Sequence, residues 1–336
     1  GPVIASLLAM KAVRDAGIPL KRKIRLILGC DEESNWEDMA YYTAHADMPR
    51  IGFSPDASFP VINTEKGMLH FQLKAEAAKT GLQVKHWMTG ERVNVIPGHA
   101  EMLLEGGDTL AEQVRAYAQE TGLPYTAEAT AEGVKVTAEG IPGHSAYPEG
   151  RRNAIGMMLC LLLRLGVEGP LKTIAEAVGM EHDGASLGCA CADKVSGPLT
   201  CNMGIMRVEN GQIFCTLDDR CPVEADQEKL IAATRAHLPG VQVEVIEQKA
   251  PHHVPAEGEL VSSLLAAYHE ETGLPAEARS TGGGTYAKVL EQGVAFGASF
   301  PDDEDLAHQA NEYATISGLM KSMRIYANAL VRLAGE

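Results

Sequence analysis

Two adjacent carboxylates, Glu32 and Glu33, close the run Gly29-Cys30-Asp31-Glu32-Glu33. Neighbouring side chains on an extended backbone point in different directions, so one acid can bind a metal ion while the other reaches a water molecule. Asp56, in Phe53-Ser54-Pro55-Asp56-Ala57, follows a second apolar run and adds another oxygen donor. His308, in Asp305-Leu306-Ala307-His308-Gln309, adds an imidazole, and imidazole with carboxylates is a ligand set that zinc favours. Four further positions stand out. His144 lies in Gly140-Ile141-Pro142-Gly143-His144-Ser145, an ordered loop, and Asn94 in Arg92-Val93-Asn94-Val95. Arg220 follows an apolar run in Asp218-Asp219-Arg220-Cys221. Gly283 is the centre of Gly282-Gly283-Gly284-Thr285, a turn whose N–H groups can face an anion but which lacks the lysine of a P-loop. Each also has an ordinary reading: an acidic run before a helix, a turn aspartate, a hydrogen-bonded histidine, a capping amide, or an arginine paired with its own aspartates. Spacing alone leaves both readings open.

The elements that carry these residues alternate in type. Over residues 3–16, Ile4, Leu7, Leu8, Met10 and Val13 recur at steps of three and four, predicting an amphipathic helix ended by Gly17. Residues 23–28 read as a strand leading into the acidic run, and Ser34 with Glu37 forms a capping box for the next helix. Residues 50–53 are another candidate strand. The character then changes. Residues 68–75, 134–138, 200–208, 212–217 and 241–246 read as strands of a second, antiparallel sheet, with helices at 109–119, 153–165 and 227–237 between them. The first pattern returns near residue 257 with a helix, the glycine turn, a short strand at 294–296, and a last helix with the stripe Ile316, Leu319, Met320, Met323, Ala327 and Leu330. This is one α/β domain interrupted by a large insertion that resembles open-faced sandwich modules.

Composition narrows the function classes. The chain has 336 residues, 45% of them hydrophobic, enough for a substantial core. A net charge of −16 repels polyanions, and 5% aromatic content offers little for base stacking, so no nucleic-acid partner is expected. Seven cysteines without a Cys-x-x-Cys pair fit free thiols in a reducing cytoplasm. The richest apolar run, 155–165, is broken by Arg164 and too short to span a bilayer, so no membrane partner is expected.

In order, Gly1-Pro2-Val3-Ile4-Ala5, Asp31-Glu32-Glu33-Ser34, Ser54-Pro55-Asp56-Ala57-Ser58-Phe59-Pro60, Gly143-His144-Ser145-Ala146, Gly282-Gly283-Gly284-Thr285-Tyr286-Ala287 and His308-Gln309-Ala310-Asn311-Glu312 resemble the co-catalytic zinc peptidase family. The likeness is to its bacterial dipeptidase V and Xaa-His dipeptidase type, with carnosinase and aminoacylase as relatives, and it spans nearly the whole chain. It implies an α/β fold: a catalytic domain with a mostly parallel sheet between helices, residues 1–63 and 253–336, and an inserted α+β lid, residues 64–252. It implies hydrolysis of small dipeptides with two zinc ions, or manganese or cobalt in their place. Glu32 would be the general base. Glu33 and His308 would bind one metal and Asp56 the other. His144 and Asn94 would steady the scissile carbonyl, and Arg220 with the turn at Gly283 would hold the terminal carboxylate.

One departure from the family pattern matters. In that family a His-x-Asp motif and a bridging aspartate precede the Gly-Pro, and this sequence opens at Gly1-Pro2 with neither ahead of it. The expectation is a dipeptidase as the full-length product, with the 336-residue chain inactive and of low stability by itself. The readings that compete are an N-acyl amino acid amidohydrolase of the same family and a non-catalytic module from a truncated gene. A monomer and a homodimer are both compatible with a two-part lid.

Overall fold

Alternation of apolar and polar residues through the middle of the chain produces one eight-stranded sheet. In the computed structural model, which describes residues 1–34, 36–304, 306 and 311–335, its strands run in the order Gln242–Lys249, Gly67–Glu76, Gln212–Cys221, Thr200–Glu209, Val84–Thr89, His99–Leu104, Gly133–Glu139 and Tyr125–Thr130. Every pairing is antiparallel. Leu69, Phe71, Leu73, Trp87, Met102, Leu104, Val134 and Val136 are buried in its core. The helix Ala154–Arg164 is apolar almost all round and accordingly buried, with Ile155, Met157, Met158, Leu159, Leu161 and Leu162 sealed from solvent. Its start is set by Asn153, whose Oδ1 accepts from the N–H groups of Ile155 at 2.8 Å and Gly156 at 3.3 Å. The Asn153 amide donates in turn to Asn202 Oδ1 at 2.9 Å and to the Met203 carbonyl at 2.8 Å, tying helix to sheet.

These elements form one of two units into which the chain divides, Lys66–Pro251; the other is Gly1–Glu65 with His252–Glu336. The strands 84–89, 99–104 and 125–130 and the helix Pro170–Ala177 were not anticipated from the sequence.

In the Gly1–Glu65 and His252–Glu336 unit the strands Ile51–Ser54, Gln292–Ala295, Val61–Glu65 and His252–His253 lie in that order, and Ala278–Thr281 also pairs with Val61–Glu65. The Ile51–Ser54/Gln292–Ala295 and Ala278–Thr281/Val61–Glu65 pairs are parallel and the other two antiparallel. An aromatic cluster fills the space beneath: the Phe59 ring lies 5.1 Å from Phe296 and 5.4 Å from Tyr268, and Phe296 lies 6.0 Å from Tyr326.

Three local expectations are corrected. Residues 23–28 form no strand. Their neighbours Lys21 and Arg22 donate backbone N–H bonds to the Ala334 carbonyl, and Arg25 Nη1 donates to Tyr42 Oη at 3.1 Å and to the Asp47 carbonyl at 2.5 Å. The segment is thus held by helix ends, and a cavity of about 450 Å³ borders it and the Ile51–Ser54 strand. The second helix is Glu37–His45, but Ser34 does not cap it: Asp31 Oδ2 accepts from Glu37 N at 2.9 Å instead. The helices Pro2–Asp15 and Ile316–Ala334 pack together, with Ala5, Ser6, Ala9 and Val13 buried on the first and Ser322, Ile325, Tyr326, Ala329 and Leu333 on the second, while Ile4, Leu7, Leu8, Ile316 and Met320 stay exposed. The small side chains among those buried let the two backbones approach closely, and that contact outweighs the larger apolar stripe.

Asn153→Ala removes the cap and leaves the Met203 carbonyl and Asn202 amide short of a donor. Urea denaturation should show a loss of about 2 kcal/mol.

Candidate functional site

In the unit built from Gly1–Glu65 and His252–Glu336, the acidic run is held by side chains and by no ladder. Asp38 Oδ2 accepts from Cys30 N at 2.6 Å, Asp31 N at 3.2 Å and Tyr286 Oη at 2.8 Å, and Tyr286 Oη also accepts from Asp31 N at 3.1 Å. Burial raises the Asp38 carboxyl's affinity for a proton, and these donors outweigh it, holding the group below its ordinary value. Trp36 packs edge-on against Tyr286 at 5.3 Å and donates its indole N–H to the Glu32 carbonyl at 2.6 Å. Gly29 is obligatory here, since a Cβ would stand 2.4 Å from the Tyr286 ring and 2.7 Å from Asp38. Glu32 is half-buried and Glu33 exposed at the end of this pinned run. Asp56 is exposed just beyond the Ile51–Ser54 strand, as expected from its place after an apolar run.

A carboxylate the sequence reading missed, Glu65, lies 1% exposed at the end of its strand. It accepts from Thr285 N at 3.1 Å and Thr285 Oγ1 at 2.8 Å, with Lys288 Nζ at 4.0 Å. Burial pushes its carboxyl up, the charge of Asp56 adds to the rise, and Lys288 and Thr285 oppose it. Glu65 therefore anchors the end of the glycine turn. Within that turn the Gly283 N–H donates to Thr281 Oγ1 at 3.1 Å, so Gly283 shapes the turn and its N–H is already engaged.

In the Lys66–Pro251 unit three of the sequence candidates are joined by hydrogen bonds. His144 pairs with Val95 in a two-residue ladder, and Ser145 N donates to the Asn94 carbonyl at 3.1 Å, so the His144 loop lies against the Asn94 segment. Gly204 lets that segment cross the sheet, because a Cβ there would sit 2.2 Å from the Val93 carbonyl. Exposed His144 accepts from Ala146 N at Nδ1, 3.1 Å, which leaves the proton of the neutral ring on Nε2. Ser145 Oγ donates to Asp218 Oδ2 at 2.5 Å, and Asp218 also accepts from Arg220 Nη2 at 2.9 Å. Arg220 is only 3% exposed, far more buried than a loop arginine.

Asp218 is paired again with His70, Nε2 to Oδ1 at 3.2 Å, and His70 Nδ1 meets Glu247 at 2.6 Å. Lys249 lies 2.9 Å from Glu247. Burial alone would lower the His70 pKa, but the two carboxylates overcome it and raise it to about 9. Asp218, which burial would raise, is held down to about 2 by Arg220 and His70. The hydrogen bond from His70, with Lys249 beside it, holds Glu247 at about 2. The ordinary reading of Arg220, paired with its own aspartates, holds for Asp218; His70, Glu247 and Ser145 were not singled out from the sequence. The only signal was Asp-x-Arg on a strand otherwise buried.

The metal-ligand candidates are placed unequally. Glu33 and Asp56 supply carboxylate oxygens whose chemistry suits a divalent cation such as zinc. His308 lies outside the described residues. Among the described residues no group of three or more His, Cys, Asp or Glu side chains is gathered as a metal site.

The α/β fold is shared with solved structures. It matches aminopeptidase PepT from Bacillus cereus ATCC 10987 with a TM-score of 0.55 at 13% identity, covering 99% of this chain and 70% of that one. It matches human carnosine dipeptidase 1 with a TM-score of 0.52 at 11% identity, again over 99% and 70%. In sequence, the Bacillus subtilis (strain 168) protein named "Putative dipeptidase YtjP" is 34% identical over 99% of this chain and 74% of its own length. A Staphylococcus saprophyticus protein of the same type, SSP1012, is 31% identical over 100% and 75%. Residues 1–332 match the model of peptidase family M20/M25/M40, and the chain belongs to that family. It is, within that class, a peptidase and so a hydrolase.

His70 stabilises the fold as a cation. Its folded pKa of about 9 lies above the ordinary 6.5, so the stabilisation is fully present below pH 6.5 and is lost as pH rises through 9. His70→Gln should therefore lower the thermal midpoint most at acidic pH, and the difference from the parent protein should shrink steadily toward pH 9 in calorimetry.

Proposed function

We propose that the protein is a zinc-dependent dipeptidase of the cytoplasm. The observation that carries this reading is the pair Glu32-Glu33 at the end of a run pinned by Asp38, Tyr286 and Trp36, in a chain that belongs to a peptidase family from residue 1 to 332. A general base must be held still, and the bond from the Trp36 indole to the Glu32 carbonyl fixes the backbone of that residue. In this reading the Glu32 carboxylate takes a proton from the attacking water and returns it to the leaving amine nitrogen. His144 donates through Nε2–H to the scissile carbonyl oxygen, and Asn94 supports the same oxygen; a well-placed donor of this kind is worth about 3 kcal/mol in the transition state. Arg220 holds the free carboxylate of the substrate.

Glu33 and His308 would hold one zinc and Asp56 the other. Zinc, when bound, supplies Lewis-acid polarisation and makes water acidic enough to attack near neutral pH. The cytoplasmic reading is supported by all seven cysteines being free thiols. No helix among the described residues is long and apolar enough to cross a membrane.

The test pairs metal analysis with turnover. Turnover by these 336 residues with added zinc overturns the expectation that they are inactive by themselves; among Xaa-His, β-alanyl and N-acetyl amino acid substrates the unblocked dipeptides should then be preferred. Preference for the N-acetyl compounds would assign it as an N-acyl amino acid amidohydrolase instead. Glu32→Gln should lower kcat by about 10²- to 10⁴-fold with zinc content unchanged. Glu33→Gln and His308→Ala should reduce bound zinc by mass spectrometry. Full zinc content in both variants would overturn the assignment of ligands.

A further inference from the structure

We infer that Asp218 is a positioning residue that sets two substrate-facing groups at once: it holds the Arg220 guanidinium and, through Ser145, the loop that carries His144. The inference rests on the peptidase reading for what those two groups do, but the linkage itself stands on geometry. Asp218 is fully buried and each of its oxygens serves two partners. Oδ2 accepts from Ser145 Oγ at 2.5 Å and from Arg220 Nη2 at 2.9 Å. Oδ1 is hydrogen-bonded to His70 Nε2 at 3.2 Å and lies 2.8 Å from Arg220 Nε as an ion-pair contact without hydrogen-bond geometry. Three hydrogen bonds and the charge of the guanidinium hold the carboxylate from different sides, so a shift toward one partner weakens its bonds to the others.

The partners come from three places in the chain. Ser145 precedes Asp218 by 73 residues and His70 by 148. Ser145 is 1% exposed and bonded at both ends, its N–H to the Asn94 carbonyl and its hydroxyl to Asp218. The residue before it, His144, is exposed and has its ring turned by the Ala146 N–H bond to Nδ1, so a fixed Ser145 fixes where Nε2–H points. Arg220 has its Nε and Nη2 side on Asp218, which orients the planar guanidinium rather than neutralising it alone. His70, clasped between Asp218 and Glu247, returns positive charge to the cluster. The arrangement therefore recognises a peptide with a free carboxylate and aligns the histidine through one shared anchor.

The experiment uses Asp218→Asn, which keeps size but places an amide N–H₂ against donors, and Ser145→Ala, which cuts only the tie to the His144 loop. Turnover is measured on a Xaa-His dipeptide and on the same dipeptide with its carboxylate converted to an amide. In Asp218→Asn, KM for the dipeptide should rise about tenfold, kcat should fall, and the preference over the amide should collapse. In Ser145→Ala, kcat should fall about tenfold with KM for the dipeptide near the parent value. Nitrogen-15 NMR should show the His144 ring signals altered in both variants and the Arg220 Nε signal altered in Asp218→Asn alone.

Unchanged dipeptide-over-amide preference in Asp218→Asn, or an unmoved His144 signal in Ser145→Ala, overturns the inference. Should Asp218→Asn fail to fold, the Ser145→Ala arm decides by the same two readouts, kcat against KM and the His144 signal. If the parent protein hydrolyses neither compound, it behaves as the inactive chain expected from the sequence, and the dipeptidase reading of these 336 residues fails. The NMR arms then still decide whether Asp218 couples the two groups.

Discussion

A carboxylate taken out of water must be given donors or keep its proton, and that constraint organises both units of this protein. Asp218 is held near full ionisation by Arg220, His70 and Ser145. Its neighbour Asp219 points to the other face of the strand, opposite Cys201, and burial pushes its carboxyl up to about 7. Two consecutive acids thus answer the same requirement in opposite ways. The ionised one gathers distant loops around itself, and the other, in the core, holds its proton up to a far higher pH.

The same constraint places the acidic run. Residues 23–28 gain no ladder, so nothing in secondary structure holds Glu32 and Glu33; Asp38 does, by accepting from the backbone at Cys30 and Asp31 and from Tyr286. Glu65 does likewise for the glycine turn through Thr285. The loops that hold the candidate residues are fixed by buried or half-buried acids acting as acceptors, which directs a loop more narrowly than packing does, because a hydrogen bond specifies both distance and angle.

Hydrophobic pattern was a reliable guide to where elements lie and a poor one to which face they bury. The helix at 227–237 and the strands at 67–76, 133–139, 200–209 and 212–221 follow their periodicity closely. The two terminal helices do not: they bury Ala5, Ala9, Val13, Ile325, Tyr326 and Ala329 and leave Ile4, Leu7, Leu8, Ile316 and Met320 exposed. The strands at 84–89 and 125–130 were missed. His86 and Glu128 face outward from a sheet whose pairing supplies the stability that their own composition lacks.

Read by itself, the amino-acid order determined the family, the α/β class, the interruption of one pattern by another, and the residue types able to do the chemistry, since all of these depend on local periodicity and on motifs only a few residues long. Only the tertiary structure decided that Ser145, Asp218 and His70 meet, that Arg220 is buried, that Gly283 spends its N–H on Thr281, and that Glu65 lies under the glycine turn. Those meetings join positions up to 220 residues apart. Which donor satisfies a buried acid is settled by the packing of whole sheets, and no short stretch of sequence contains that information.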